Sequence, residues 1–215
     1  MGVSERRERE KNIRRDSAIA AAMKIYKQEG YYAVTMDKIA ENSELSRAAL
    51  YIYFKSKDEI FINAIVAYYD FFAEQLQKVY DNREIYKNEL LEKLWECFQA
   101  YYERDPDVFH LNYFFHQDEV IRHLPEYLRV KLHQTGSRVA KIQHAIIAYG
   151  VDNGIFIKTD PRTLAEVIFT SALGILHFER SKNIIHGKTH LKITSDLALK
   201  VLLRGIRNNP NNNIF

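Results

Sequence analysis

Residues 35–61, TMDKIAENSELSRAALYIYFKSKDEIF, constrain this chain more than any other stretch. Thr35 stands one turn ahead of Ile39 and Ala40, the inward pair of a short amphipathic helix. Ser43-Glu44 breaks that pattern, and Ser46 is placed to cap a second short helix with its hydroxyl. Leu45, Ala49, Leu50 and Phe54 supply the apolar contacts that lock the two helices together. Arg47, Ala48, Tyr51, Tyr53 and Lys57 remain outside that small core. Two short helices with a tight turn, projecting an arginine, two tyrosines and a lysine, form a helix-turn-helix suited to the DNA major groove.

The run Thr35, Ile39, Ala40, Leu45, Ser46, Ala48, Leu50, Tyr51, Tyr53, Phe54, Lys57, with Gln28-Glu29-Gly30-Tyr31 ahead of it, resembles a known signature. It is that of the tetracycline-repressor (TetR/AcrR) family of bacterial one-component transcriptional regulators. The resemblance implies an all-α fold, with a three-helix DNA-binding domain over 1–57 and a helical ligand-binding and dimerisation domain over 58–207. It also implies a repressor released from its operator by a small molecule, and a homodimer formed through the last two helices. One departure stands out. The family's turn usually carries glycine where this chain has Glu44, and a left-handed backbone there costs a non-glycine residue about 1 kcal/mol.

Each exposed residue has more than one reading. Ser46 caps the recognition helix, touches a phosphate, or does both. Arg47 is the long donor at the start of that helix, for a guanine edge or a phosphate. Ala48 lets the helix approach closely and meets a thymine methyl. Tyr51 and Tyr53 offer phosphate-binding hydroxyls, with partial burial the alternative for Tyr51. Lys57 and Thr35 are expected on backbone phosphates near helix N-termini.

Charge agrees with this placement. Residues 1–57 hold twelve basic and eight acidic side chains, and the remainder nineteen and twenty, so the surplus behind the net +3 lies with the helix-turn-helix. Arg6, Arg7, Arg9, Lys11, Arg14 and Arg15 alternate with Glu5, Glu8 and Glu10. That arm reads equally as a solvated helical extension or as phosphate contacts, for which Arg14 and Arg15 are best placed.

Helical periodicity continues along the chain. Ile19, Ala22, Met23 and Tyr26 form a first stripe, closed by Gly30 as a C-terminal cap. Ser56 and Glu59 form a capping box for a long helix, a rigid strut with Phe61, Ala64, Ile65, Tyr68, Phe72, Leu76 and Val79 on one face. Leu91 to Tyr102 is the next helix, and Asp105-Pro106 opens a short one through Phe114. Leu128 to Tyr149 is a long helix that Gly136 is able to bend. Asp160-Pro161 begins another, followed by a last helix from Leu191 to Ile206. Residues 208–215 are expected to be a disordered tail. The last two helices are apolar on more than one face, so one face is left for a second subunit. Pairing is also needed functionally, because one recognition helix reads too few bases.

The single Cys97, beside Phe98, points to a buried inert thiol in a reducing cytoplasm. No stretch is long and apolar enough for a bilayer, and no apolar run follows the basic N-terminus as in a secretion signal, so no membrane is expected. Residues 58–215 hold twenty-one aromatics, most of them core. Tyr68, Phe72, Trp95, Phe98, Tyr102, Phe114, His116 and Phe169 are the candidate walls of a ligand cavity, suited to an apolar or aromatic molecule. In the resembled family, filling such a cavity tilts the strut and changes the spacing of the recognition helices. The histidine spacings, His110 with His116 and His186 with His190, do not make a metal site, and no cofactor is expected. No nucleophile elbow, phosphate loop or acid-base pair points to catalysis. The alternative to a regulator is an all-helical carrier or enzyme without a DNA function.

Overall fold

The computed structural model describes residues 2–208. Among these the architecture is all-α, with a lone antiparallel bridge between Phe156 and Arg207 in place of any sheet. The helices are α1 (Val3–Glu29), α2 (Met36–Asn42), α3 (Arg47–Tyr53), α4 (Lys57–Asp81), α5 (Leu90–Arg104), α6 (Pro106–Phe115), α7 (Asp118–His123), α8 (Glu126–Asp152), α9 (Pro161–His186) and α10 (Leu191–Ile206). They gather into two compact units. One takes the chain up to Tyr68 together with Asp107–His133; the other takes Tyr69–Pro106 together with the residues from Gln134 onward.

In the first unit α1 buries Ala18, Ala21, Ala22 and Ile25, small residues that let α2 approach closely. The basic arm continues α1 without a break. Gly30 ends it at φ 82°, a backbone only glycine adopts freely, and its N–H closes on the Tyr26 carbonyl at 2.9 Å. Ile39, Ala40, Leu50 and Phe54 are buried beneath α2 and α3. The capping box before α4 is displaced by one residue. Glu59 N–H donates to Ser56 Oγ at 3.3 Å, but the Glu59 carboxylate accepts from Lys55 N–H at 2.7 Å. The short α7 lies outside the sequence expectations, because six residues with one apolar pair show no readable period.

In the second unit Phe72 stacks on Tyr101 with ring centroids 4.4 Å apart, and Phe98 packs against Phe72, Trp95 and Phe169. Truncating the buried ring of Phe72, Phe98 or Tyr101 to alanine costs about 3–5 kcal/mol. Cys97, on α5 as well, is buried, which pushes its thiol up to about 12 and keeps it unreactive. Gly136 leaves α8 unbroken as a helix. Gly150 is needed for a different reason: a Cβ there would lie 2.3 Å from the ring of Phe156. That ring folds back under the end of α8, and Ile157 N–H donates to the Ile206 carbonyl at 2.8 Å. Asn208 is held as well, its N–H on the Ile155 carbonyl at 3.0 Å. The rest of the expected tail, 209–215, lies outside the described residues.

The link between α9 and α10 is organised by a buried carboxylate. Glu179 accepts from Lys182 Nζ at 2.7 Å, His190 N–H at 2.8 Å, Thr194 Oγ1 at 3.2 Å and Thr189 Oγ1 at 3.3 Å. The Lys182 bond first, and then the His190 amide, hold its pKa down at about 2.

Candidate nucleic-acid interface

The turn between α2 and α3 sets the recognition helix in place. Ser43 Oγ donates to the Ile39 carbonyl at 2.7 Å, and Leu45 N–H donates to the Ala40 carbonyl at 3.0 Å. Between them Glu44 takes φ 57°, the left-handed region that the sequence places under strain. Ser46 Oγ then accepts from Ala49 N–H at 3.1 Å, and Thr35 Oγ1 accepts from Lys38 N–H at 3.2 Å. Both hydroxyls therefore serve as N-caps, each worth about 1 kcal/mol to its helix.

Leu50 and Phe54 root α3 in the core, and the opposite face carries Arg47, Ala48 and Tyr51, all exposed. The Arg47 guanidinium lies 3.2 Å from Asp37 and 5.8 Å from the Tyr51 ring centroid. With both partners well exposed, such a pair contributes little, so a phosphate or base edge displaces Asp37 readily. Tyr53 is half-buried. Lys57 has another occupation: its ammonium donates to the carbonyls of Tyr31 (3.1 Å) and Val34 (3.0 Å) and lies 4.2 Å from the Tyr31 ring centroid. Burial pushes its pKa down. Tyr31 donates in turn to Asp58, and burial first, then that carboxylate, push its phenol pKa up. Arg15 is held over the Phe54 ring at 4.8 Å and on Asn63 at 3.3 Å, whereas Arg14 is exposed.

Residues 18–64 match the family described as bacterial regulatory proteins, tetR family. The uncharacterised HTH-type transcriptional regulator YuxN of Bacillus subtilis is 36% identical over 52 residues, 24% of this chain and 18% of that protein. The likeness to the HTH-type transcriptional regulator QacR of Staphylococcus aureus runs much further, 24% identity over 79% of this chain and 88% of QacR. The match to the tetR family thus lies on the helix-turn-helix head, residues 18–64. The chain's fold matches that of the TetR-family regulator PfmR from Thermus thermophilus, with TM-score 0.70 and 22% identity over 91% of this chain and 98% of that one. It also matches FadR from Bacillus subtilis, solved in complex with stearoyl-CoA, with TM-score 0.66 and 20% identity over 89% and 98%.

The tetR-family head presents residues that the sequence pattern did not single out. Ile52 is 80% exposed, and with Ala48 and Tyr51 it completes an i, i+3, i+4 set on the outer face of α3. The signal is present in the sequence: Leu50 and Phe54 point inward, so 48, 51 and 52 point out. Tyr32, also largely exposed, packs edge-on against Tyr31.

The candidate ligand residues divide between the units. Phe72, Trp95, Phe98 and Phe169 form one ring cluster in the second unit, where Tyr102 lines a cavity. Tyr68, which is buried, belongs to the first unit with Phe114 and His116. There the Phe114 ring packs on Tyr31 at 4.6 Å, and the exposed His116 is bonded through Nδ1 to the Asn112 carbonyl at 2.8 Å. Phe114 and His116 thus have their described contacts within the first unit. Among the described residues no His, Cys, Asp and Glu side chains group as a metal site, and no helix is long and apolar enough to cross a membrane.

Proposed function

We propose that this tetR-family chain is a cytoplasmic, homodimeric transcriptional repressor that binds operator DNA through α3 and leaves it on binding a small apolar or aromatic ligand. One observation carries the DNA reading: a helix capped by Ser46 and rooted by Leu50 and Phe54 offers Arg47, Ala48, Tyr51 and Ile52 on one open face. Arg47 reads a base edge, Tyr51 and Tyr53 meet phosphates, and the caps Thr35 and Ser46 aim amides at the same backbone.

The dimer reading rests on apolar side chains that a single chain leaves in water. Ile193, Leu197 and Val201 recur at i, i+4, i+8 along α10 and are each at least 60% exposed, and Val167, Phe178 and Ile185 are exposed on α9. Gly174, with open space around it, lies among the latter and lets a partner helix approach. The ligand reading rests on the ring cluster of Phe72, Trp95, Phe98 and Phe169 and on the cavity beside it. It is supported by the similar fold of FadR, a regulator in complex with stearoyl-CoA. α4 supplies residues to both units and is the element through which ligand occupancy alters DNA binding.

The test is a mobility shift with DNA from upstream of the chain's own gene, at two salt concentrations and against unrelated competitor DNA. A specific complex that weakens steeply with salt is expected. Retention indifferent to sequence at both salt concentrations ends the regulator reading.

A further inference from the structure

We propose that the cavity among α5, α9 and α10 binds a small neutral carbonyl compound, with the Ser195 hydroxyl as its hydrogen-bond donor. The cavity holds about 300 Å³, at the small end of ligand pockets, and is partly open at its rim. Leu176, Leu191 and Tyr102 supply apolar wall, and Ser195 lines it from α10 although only 3% exposed. Ser195 Oγ accepts from Trp95 Nε1–H at 2.9 Å and from Gln99 Nε2–H at 3.2 Å. Those two bonds occupy both hydroxyl lone pairs. With both lone pairs taken, the hydroxyl is left to act toward a bound molecule as a donor, and an oxygen acceptor in the cavity suits it.

Charge selects the kind of acceptor. Glu103 and Asp196 stand at the rim against Lys192 alone, which is already 3.4 Å from Asp196. A net negative rim disfavours a carboxylate or phosphate and leaves a neutral amide, ester or ketone oxygen. A secondary amide fits best, since its N–H finds a rim carboxylate while its oxygen takes the Ser195 proton. This deepens the ligand-responsive reading and rests on it for the consequence, release from DNA, but not for binding itself.

Trp95 is the chain's one tryptophan, and its bond to Ser195 makes it a built-in reporter. The intact protein is titrated with N-cyclohexylacetamide and, separately, with cyclohexanecarboxylate, following Trp95 emission and the thermal midpoint. The amide is expected to shift the emission saturably and raise the midpoint, with the carboxylate at least about tenfold weaker. Ser195→Ala is expected to weaken the amide about tenfold, the loss of one hydrogen bond. Because that change also strands the Trp95 and Gln99 donors, Leu191→Phe provides a second arm. It fills the cavity, keeps Ser195 and its bonds, and abolishes the response. No amide binding, amide binding unaltered in both variants, or tighter carboxylate binding overturns the proposal. The mobility shift run on the same preparations separates the two readings: specific DNA retention without amide binding defeats the cavity assignment alone, and the reverse defeats the regulator alone.

Discussion

On α3, seven residues are fixed by a serine cap at one end and a buried phenylalanine just past the other, and the outward side carries an arginine, an alanine, a tyrosine and an isoleucine. On α10, sixteen residues begin without a side-chain cap, and only Ser195 and Ile206 of that helix are buried. Its outward side is a line of isoleucine, leucine and valine. The first helix is held rigid from within its own unit, as a reader that binds and leaves a polyanion must be. The second packs inward on α9 and α5 but leaves that apolar stripe in water, which is the ground for the proposed partner subunit. On the proposed function, the transient contact with DNA uses a helix already ordered by its own unit, whereas the proposed subunit contact would cover a face that one chain leaves open.

The largest expected effect tests the proposed subunit contact. Leu197→Glu with Val201→Glu places two charges on the open stripe of α10. Sedimentation is expected to show a monomer, and operator affinity to fall at least about a hundredfold, since each half-site alone gives weak binding. A variant that stays dimeric and keeps its DNA would show that the stripe is not the interface. Arg47→Ala comes next, with a loss of roughly tenfold to a hundredfold, confined to the preferred sequence if Arg47 reads a base. A uniform loss across all sequences, with a shallower salt slope, would instead make Arg47 a phosphate contact.

Glu179 sharpens the contrast, because α10 gains through a buried carboxylate what α3 gains from a serine cap. Its pKa of about 2 in the folded chain lies below the ordinary 4.5, so its stabilisation is complete above about pH 4.5 and is lost as pH falls toward 2. Glu179→Gln should cost about 2 kcal/mol at neutral pH, as expected for hydrogen bonds to a charged group. It should also flatten the acid dependence of the denaturation midpoint between those two values. An unchanged acid profile would mean that other carboxylates set it.

Much of this is legible in the sequence, for identifiable reasons. Helix positions follow from 3.6-residue periodicity and from caps such as Ser46, Gly30 and Asp160, each of which acts locally. The outer face of α3 follows from the same period, which places Ile52 there too, against the simpler expectation that an apolar residue is buried. What the sequence does not reveal is the choice each polar group makes among distant partners. Lys57 sits where a phosphate contact is expected, yet the Tyr31 and Val34 carbonyls, more than twenty positions away in sequence, take its ammonium. Phe114 belongs by composition to the walls of a cavity, yet it packs on Tyr31. Ser195 carries no local signal at all, because its donors Trp95 and Gln99 lie 100 and 96 positions away in the chain and meet it only through the tertiary fold.

The smallest expected effect lies in the turn that orients α3. Glu44 holds φ 57° with its side chain exposed, so its cost is backbone strain of about 1 kcal/mol with no packing to offset it. Glycine removes the strain but loosens the unfolded chain by about 0.5–1 kcal/mol, so Glu44→Gly should be nearly neutral. Asparagine tolerates the left-handed region and keeps a side chain's restriction on the unfolded state, so Glu44→Asn should stabilise by a few tenths of a kcal/mol, about 0.5 at most. Denaturant midpoints of the three proteins decide it. The expected order is Asn above Gly and Glu. A glycine variant more stable than the asparagine one by about 1 kcal/mol would place the strain well above its ordinary value, and α3 would then be held under tension rather than at rest.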